Sequence, residues 1–451
     1  MVTKLAKRCL RRLRSADEVR TQYIVVLVFL CLGLPSAANA GEESPAADRQ
    51  TGWALQGLPI FAYSTDEGLG YGARLLLVDH GSGEERPYRY AIGVQFYQTT
   101  KGVAAHQLWL DAPGVFGSLN RIEVELGWSI YKFFPYYGVG NNSVYDPQLD
   151  TCADRAALAL DPDHCPGNPG FKGLRYYRYA QETLPRIKLN LRRDLGGPWR
   201  LFGGYRFRPT RISPLYGAED LGQQGGSLLI SDARAGKLIG YYGTDPSRSF
   251  WRRTAELTAG LVYDSRDNEP APAEGMFHEV SLRTGLRLLG GQFDYWGVNA
   301  TLRFYHWLVP EYRNLVGALR VLYDVAGGDF PFFLLATTGG LGGPDVVGGE
   351  SSVRGLLADR LQGNVKLLLN SELRWRFWSL PHFDFESSAG LDAGRVWREI
   401  GKADPGPMRL GGAVGLRVAW NKNFVIRFDY GVGISEPFAD GSVYLTFDEM
   451  F

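Results

Sequence analysis

An arginine at the end of a glycine-rich run has the strongest chemical potential in this chain of 451 residues. Gly348-Gly349-Glu350-Ser351-Ser352-Val353-Arg354-Gly355 closes a stretch in which glycine recurs from Gly339 onward. Glycine permits positive φ and close approach of main chains, so this segment can carry one guanidinium into a confined space. A guanidinium held there needs anions, and its planar fork suits carboxylates. Glu372 and Asp392 lie downstream in segments with strand alternation, on the same side of adjacent strands. The expected chemistry is a lock made by Val353-Arg354-Gly355 against Glu372 and Asp392, not a reacting centre.

Other candidate residues read as structure. Asp264-Ser265-Arg266-Asp267 with Asn268 has the composition of a turn whose side chains satisfy local main-chain groups. Gly68-Leu69-Gly70-Tyr71-Gly72 opens a strand and not a helix, which excludes a phosphate-binding loop. The six histidines are scattered one per region, without the His, Asp and Ser convergence that a membrane protease or phospholipase needs. No enzymatic activity, metal or cofactor is expected. Cys152 and Cys165 share one polar segment, where a disulfide closing a loop suits an exported protein. Zinc is disfavoured, because only His164 stands beside them.

Export is written at the start of the chain. Seven basic residues from Lys4 to Arg20 precede the apolar run Ile24 to Leu34, and Ala38-Asn39-Ala40 is a small-residue cleavage pattern. Residues 1–40 therefore read as a cleaved signal peptide. Residues 41–55 read as a short periplasmic leader and residues 56–451 as one membrane domain. The remainder carries 42 basic and 46 acidic residues, a net charge of −4. That balance gives no footing for nucleic acid, which selects a basic face.

The elements that would position Arg354 and its partners are strands. After Gly41 no segment is apolar for the eighteen or so residues of a membrane helix. Ile122, Val124, Leu126, Trp128 and Ile130 instead alternate with Arg121, Glu123, Glu125, Gly127 and Ser129, and Leu367, Leu369, Leu373, Trp375 and Phe377 with Lys366, Asn370, Glu372, Arg374 and Arg376. The spacing predicts sixteen strands between residues 57 and 448. The long connections, 133–173, 214–249 and 326–362, follow the fifth, seventh and eleventh, so all three emerge at one end. Short turns at one end and long loops at the other are the pattern of a transmembrane antiparallel β-barrel. An all-β, sixteen-stranded barrel in the outer membrane is expected, with both termini periplasmic and with lipid and lipopolysaccharide around it. Arg186, Lys188, Arg192, Arg206 and Arg303, mixed with Glu123, Glu125 and Glu256, would form a solvated lumen wall. Val443, Leu445 and Phe447 alternate toward Phe451, the form of a last strand read by the barrel assembly machinery.

In these features the chain resembles the barrel of the BamA/TamA-type outer-membrane superfamily, also called the bacterial surface antigen family. Leu58 to Ser64 with Gly68 to Gly72 is similar to its first hairpin, and Tyr263 to Asn268 with Pro272 to Gly275 to its Asp-Thr-Arg-Asp-Asn turn. Val353-Arg354-Gly355, Arg360 and Glu372-Leu373-Arg374 resemble its sixth loop and following strand; Leu391 to Trp397 and Ile426 to Gly431 resemble its late strands. The resemblance implies that the loop folds into the lumen and that Arg354 pairs with Glu372 and Asp392. It also implies a role in outer-membrane protein assembly or translocation of a polypeptide client through a loop-gated barrel seam. The alternative is a passive channel or structural surface antigen. Two positions depart from the family pattern, Gly390 and Leu356, where aromatics are usual. The family's insertases and translocases carry polypeptide-transport-associated domains before the barrel, where some fifteen residues follow Gly41 here.

Overall fold

The computed structural model describes residues 51–82, 88–115, 120–145, 177–215, 227–241, 248–309, 311–341, 347–404, 406–420, 424–436, 441–447 and 449–451. The expected signal peptide and the Cys152–Cys165 pair lie outside the described residues. Sixteen strands form the fold: β1 (Trp53–Ser64), β2 (Gly68–Asp79), β3 (Tyr90–Thr99), β4 (Val103–Pro113), β5 (Asn120–Pro135), β6 (Arg178–Gly196), β7 (Trp199–Pro214), β8 (Phe250–Asp264), β9 (Gly275–Gly285), β10 (Tyr295–Trp307), β11 (Leu315–Gly328), β12 (Val365–Leu380), β13 (Phe383–Trp397), β14 (Arg409–Trp420), β15 (Phe424–Gly433) and β16 (Ser442–Phe447). Each pairs antiparallel with its neighbours in sequence, and β16 meets β1 to close a barrel.

The period of two sorts the side chains inside out relative to a water-soluble sheet. On β12, Leu373 and Trp375 are about half exposed, at 50% and 51%, while Lys366, Asn370, Glu372 and Arg374 are buried. Large exposed apolar residues recur on every strand from β1 to β15, an extent of apolar surface that water would not tolerate and lipid does. Closure matters for the same reason, since hydrocarbon offers main-chain groups no partner.

The connections after β5, β7 and β11 lie at one end, as the strand order requires. The second of them contains the short helix α1 (Leu228–Arg234), whose N-cap Ser227 accepts a hydrogen bond from the Ile230 amide. Across this end an aromatic cluster joins Tyr136, Tyr179, Leu229, Tyr241, Phe293 and Tyr295 with Phe330 and Phe332 to Leu335 from the connection after β11. Of the described residues that follow in that connection, Val347 to Leu361 turn into the lumen.

The barrel begins at Trp53, ahead of the expected residue 56. Trp53 and Leu55 face outward and are exposed, so the alternation of β1 already holds there. The seam is uneven. β1 pairs with β2 at twelve positions, from Trp53 opposite Asp79 to Ser64 opposite Gly68, but with β16 at two, Tyr63 opposite Leu445 and Ser64 opposite Tyr444. Thr65 adds a clip, its amide donating to the Val443 carbonyl at 3.1 Å and its hydroxyl accepting from the Val443 amide at 2.9 Å.

Candidate functional site

The lumen loop is pinned before it reaches the wall. Val347 bridges to Leu361, and Val353, Leu356 and Leu361 bury themselves against Leu322, Leu368 and Val396. Leu356, where the family pattern has an aromatic, thus fills an aliphatic core without exposure. Gly355 has φ of +88°, and a Cβ on it would lie 2.2 Å from the Val432 main chain, so only glycine lets the loop lie on β15. Its amide points at the Tyr444 hydroxyl of β16, 3.2 Å away.

This placement delivers Arg354, fully buried, to three carboxylates. Its Nε donates to Asp392 Oδ2 at 2.8 Å and Nη2 to Asp392 Oδ1 at 3.3 Å, the forked arrangement, while Nη1 donates to Glu372 Oε2 at 2.7 Å and to Asp429 Oδ2 at 3.3 Å. The Arg354 amide also donates to Asp392. Glu372 and Asp392 are therefore neighbours of Arg354 on β12 and β13, and Asp429 on β15 is a partner that sequence reasoning missed.

The cluster is larger than one arginine. Arg417 donates to Asp429 at 2.7 Å, to Glu372 at 3.3 Å and to Glu449 at 3.1 Å; Arg374 donates to Glu372 at 2.8 Å and lies 3.5 Å from Glu449. Arg427 stands 3.5 Å from Asp429. Arg354, Arg374, Arg417 and Arg427 thus balance Glu372, Asp392, Asp429 and Glu449, which is how so many charges coexist out of water. Asn370 extends the network, donating to Asp392 and accepting from Arg320 Nε at 2.9 Å. A signal for this was present in the wall glycines. A Cβ on Gly390 would lie 2.2 Å from Arg354 Nη2, and one on Gly411 the same distance from the Arg354 carbonyl oxygen. At Gly390, where the family pattern has an aromatic, the Arg354 guanidinium lies directly over the β13 main chain.

The expectation for the end of the chain is corrected. β16 stops at Phe447, and Phe451 does not continue it; Met450 and Phe451 are buried inside against Tyr305 and Ala318. Glu449, which interrupts the alternation, has left the wall for Arg374 and Arg417.

A second charged feature lies under the β1–β2 turn. Asp66 and Glu67 of that turn share a cavity of about 280 Å³ with Glu350 and Asp359 of the loop, and with Tyr444. Burial, then Glu350 and Asp66, pushes the Glu67 carboxyl up to about 7; burial, then Glu67 and Asp66, pushes Asp359 up to about 8, with Arg178 opposing. Elsewhere the expected turn residues serve the turn: Asp267 Oδ1 accepts from the amides of Asn268, Ala273 and Glu274, and Asp264 pairs with Arg266 and Arg200. Among the described residues no three His, Cys, Asp or Glu side chains are grouped to hold a metal.

A family model, the Omp85 superfamily domain, matches residues 179–447. Among solved structures, BamA from Haemophilus ducreyi lacking POTRA domains 1–3 is similar, with a TM-score of 0.56 and 15% identity over 88% of this chain and 70% of that one. CdiB from Escherichia coli is similar with a TM-score of 0.51 and 15% identity, over 88% of this chain and 63% of that one. No curated protein matches. The match of the superfamily domain over more than half of a closed sixteen-strand barrel of BamA-like fold makes this chain a member of the Omp85 superfamily of outer-membrane barrels.

Proposed function

We propose that this barrel acts in the assembly or translocation of polypeptides at the outer membrane, through a seam between β1 and β16 whose opening depends on the lumen loop. The observation that carries this reading is the uneven seam: among the described residues β1 is in register with β2 from Trp53 to Ser64, and with β16 at Tyr63 and Ser64. A strand edge with a short ladder to its neighbour is a template for another strand, and in lipid such an edge is costly unless it is filled. The loop supports the reading because it touches both the wall and the seam, through Arg354 on β12, β13 and β15 and through Gly355 on Tyr444. In this reading the termini face the periplasm and the long connections the outside. A passive channel has the aromatic cluster at the long-loop end against it.

The test is a reversible staple across the seam, with Tyr63→Cys and Leu445→Cys at paired positions. In cells whose only copy carries the pair, oxidation is expected to lower the amount of folded protein delivered to or across the outer membrane, and reductant to restore it. Undiminished delivery with the staple fully formed would remove the seam as the route.

A further inference from the structure

A groove of about 940 Å³ crosses the lipid face of the wall from β10 to β15. Two adjacent rows of residues make it, each residue standing opposite the next. His306, Gly317, Leu373, Ala389, Val414 and Tyr430 form one row, and Phe304, Leu319, Ser371, Leu391, Gly412 and Val432 the other. From β11 to β14 small and large residues alternate out of phase in the two rows. Gly317, Ser371, Ala389 and Gly412 therefore leave a trough beside Leu319, Leu373, Leu391 and Val414, which are exposed. The fold does not require these positions to be bare. A Cβ on Gly412 would come no nearer than 3.5 Å to its neighbours, and one on Gly317 would meet the end of the Leu308 side chain from 3.1 Å. Ser371 Oγ donates to the Leu391 carbonyl at 3.2 Å, so the hydroxyl of the floor is already satisfied.

The slope of the groove is that of a chain in one leaflet. His306 is one residue from the short-turn end of β10, and Tyr430 is six residues from that end of β15. Five steps of about 4.8 Å across strands tilted by about 40° raise a row by about 15 Å, half of a hydrocarbon core of about 30 Å. The groove thus starts at the short-turn interface and ends near the middle of the membrane, against Tyr430 and Val432. Its two ends differ in chemistry. Beyond His306 the turn after β10 exposes Glu311, Tyr312 and Arg313, an anion and a cation that match the amine and the phosphate of a zwitterionic headgroup, while the inner end is apolar.

We propose that this groove binds one acyl chain of a zwitterionic phospholipid, with the phosphate toward His306 and Arg313 and the amine toward Glu311. Lipid tails are as apolar as the groove, so exclusion of water does not select the occupant; dispersion contacts along the trough and the headgroup contacts do. Glu372 and Gly390 border the same groove, and Arg354 lies on the other face of that wall. The bound chain therefore packs against the piece of sheet that carries the lock. The inference rests on the proposed orientation of the barrel only in placing the lipid in the periplasmic leaflet. Its test reads retained lipid and not delivery of any polypeptide, so the two readings fail separately.

The experiment is native mass spectrometry of the full-length barrel extracted from its membrane in a mild detergent. The unaltered barrel is expected to retain one phospholipid. Gly412→Leu fills the trough and is expected to lower the retained fraction by about threefold. Since a larger residue can disturb insertion, Ala389→Leu is the second floor variant, and each is read on the folded fraction alone. Arg313→Gln is expected to lower retention as well, and Ala73→Leu, on the exposed lipid face of β2, to leave it unchanged. Loss in both floor variants and in Arg313→Gln, with none in Ala73→Leu, supports the site. Retention that the floor variants do not change, an equal loss in Ala73→Leu, or no lipid on the unaltered barrel overturns it. A retained species with the mass of lipopolysaccharide or of a second copy of the chain, in place of phospholipid, overturns the assigned occupant.

Discussion

Two stretches of the lumen wall carry the same kinds of residue and behave differently. On β4 to β6, Arg121, Arg186 and Arg192 pair with Asp111, Glu125 and Glu123, and the three arginine side chains keep 35%, 29% and 23% of their surface exposed. On β12 to β15, Arg374, Arg417 and Arg427 face Glu372, Asp392 and Asp429 with at most 5% exposure. The strands alternate alike in both places. What differs is the cover, because the loop after β11 lies over the second stretch and brings Arg354 with it, while the first opens to a cavity of about 290 Å³. Charges on a barrel wall become a lock only where something excludes the water that would otherwise screen them.

The largest consequence falls on Arg354. Truncation leaves Glu372, Asp392 and Asp429 buried without their shared cation, and breaking a buried pair in this way costs about 3–5 kcal/mol. Arg354→Ala should lower the unfolding free energy of the barrel in detergent by that amount, and Arg354→Lys, which keeps the charge and loses the fork, by less. If Arg354→Ala costs no more than Arg186→Ala, the contrast between the two stretches has no energetic content. Gly390→Ala comes next. Its Cβ would meet Arg354 Nη2 at 2.2 Å and the Ser371 carbonyl at 3.0 Å, so the guanidinium must shift, at roughly 1–3 kcal/mol. The same unfolding measurement checks it, with Ala389→Gly on the outward face as the comparison.

How much of this was written in the sequence follows the same division. The strands were legible because lipid outside and polar lumen inside impose a strict period of two; β8 runs from Phe250 to Asp264, as the alternation predicts. Arg354, Glu372 and Asp392 were legible through glycine content and through the resemblance. Asp429 was not, since alternation says that it faces inward but not at what height, and height depends on the stagger accumulated from β12 to β15. The tail was misread for a similar reason. Phe451 has the residue type of a last strand, and the cost of Glu449 on the lipid face, which drives the chain inward, weighs more.

A third expectation concerns the loop's other edge, at the β1–β2 turn. Glu67 and Asp359 have carboxyls raised to about 7 and about 8 in the folded barrel, against ordinary values near 4 in an unfolded chain. Below about pH 4 both states are protonated and the contact contributes fully. As pH rises, the unfolded chain ionises first, so stability is lost progressively until the folded carboxyls ionise near pH 8. The barrel should therefore be more stable at pH 5 than at pH 8, by roughly 1 kcal/mol once screening from the cavity is allowed for. Glu67→Gln with Asp359→Asn should flatten that slope. An equal slope in the double variant would place the titrating groups elsewhere.

The smallest expected effect is the most discriminating. Arg186 and Glu125 are joined as closely as Arg354 and Glu372, at 2.5 Å and 2.7 Å, so distance alone would rank them together. Solvent ranks them apart: Arg186 keeps contact with lumen water, its attraction is diluted by a high local dielectric, and removing it should cost under about 1 kcal/mol. Mobile ions reach one site and not the other. At 1 M salt, where the screening length falls to about 3 Å, the cost of Arg186→Ala should vanish while that of Arg354→Ala stays near its low-salt value. Equal salt sensitivity of the two variants would mean that water enters beneath the loop, and the distinction between a screened wall and a dry lock would have to be withdrawn.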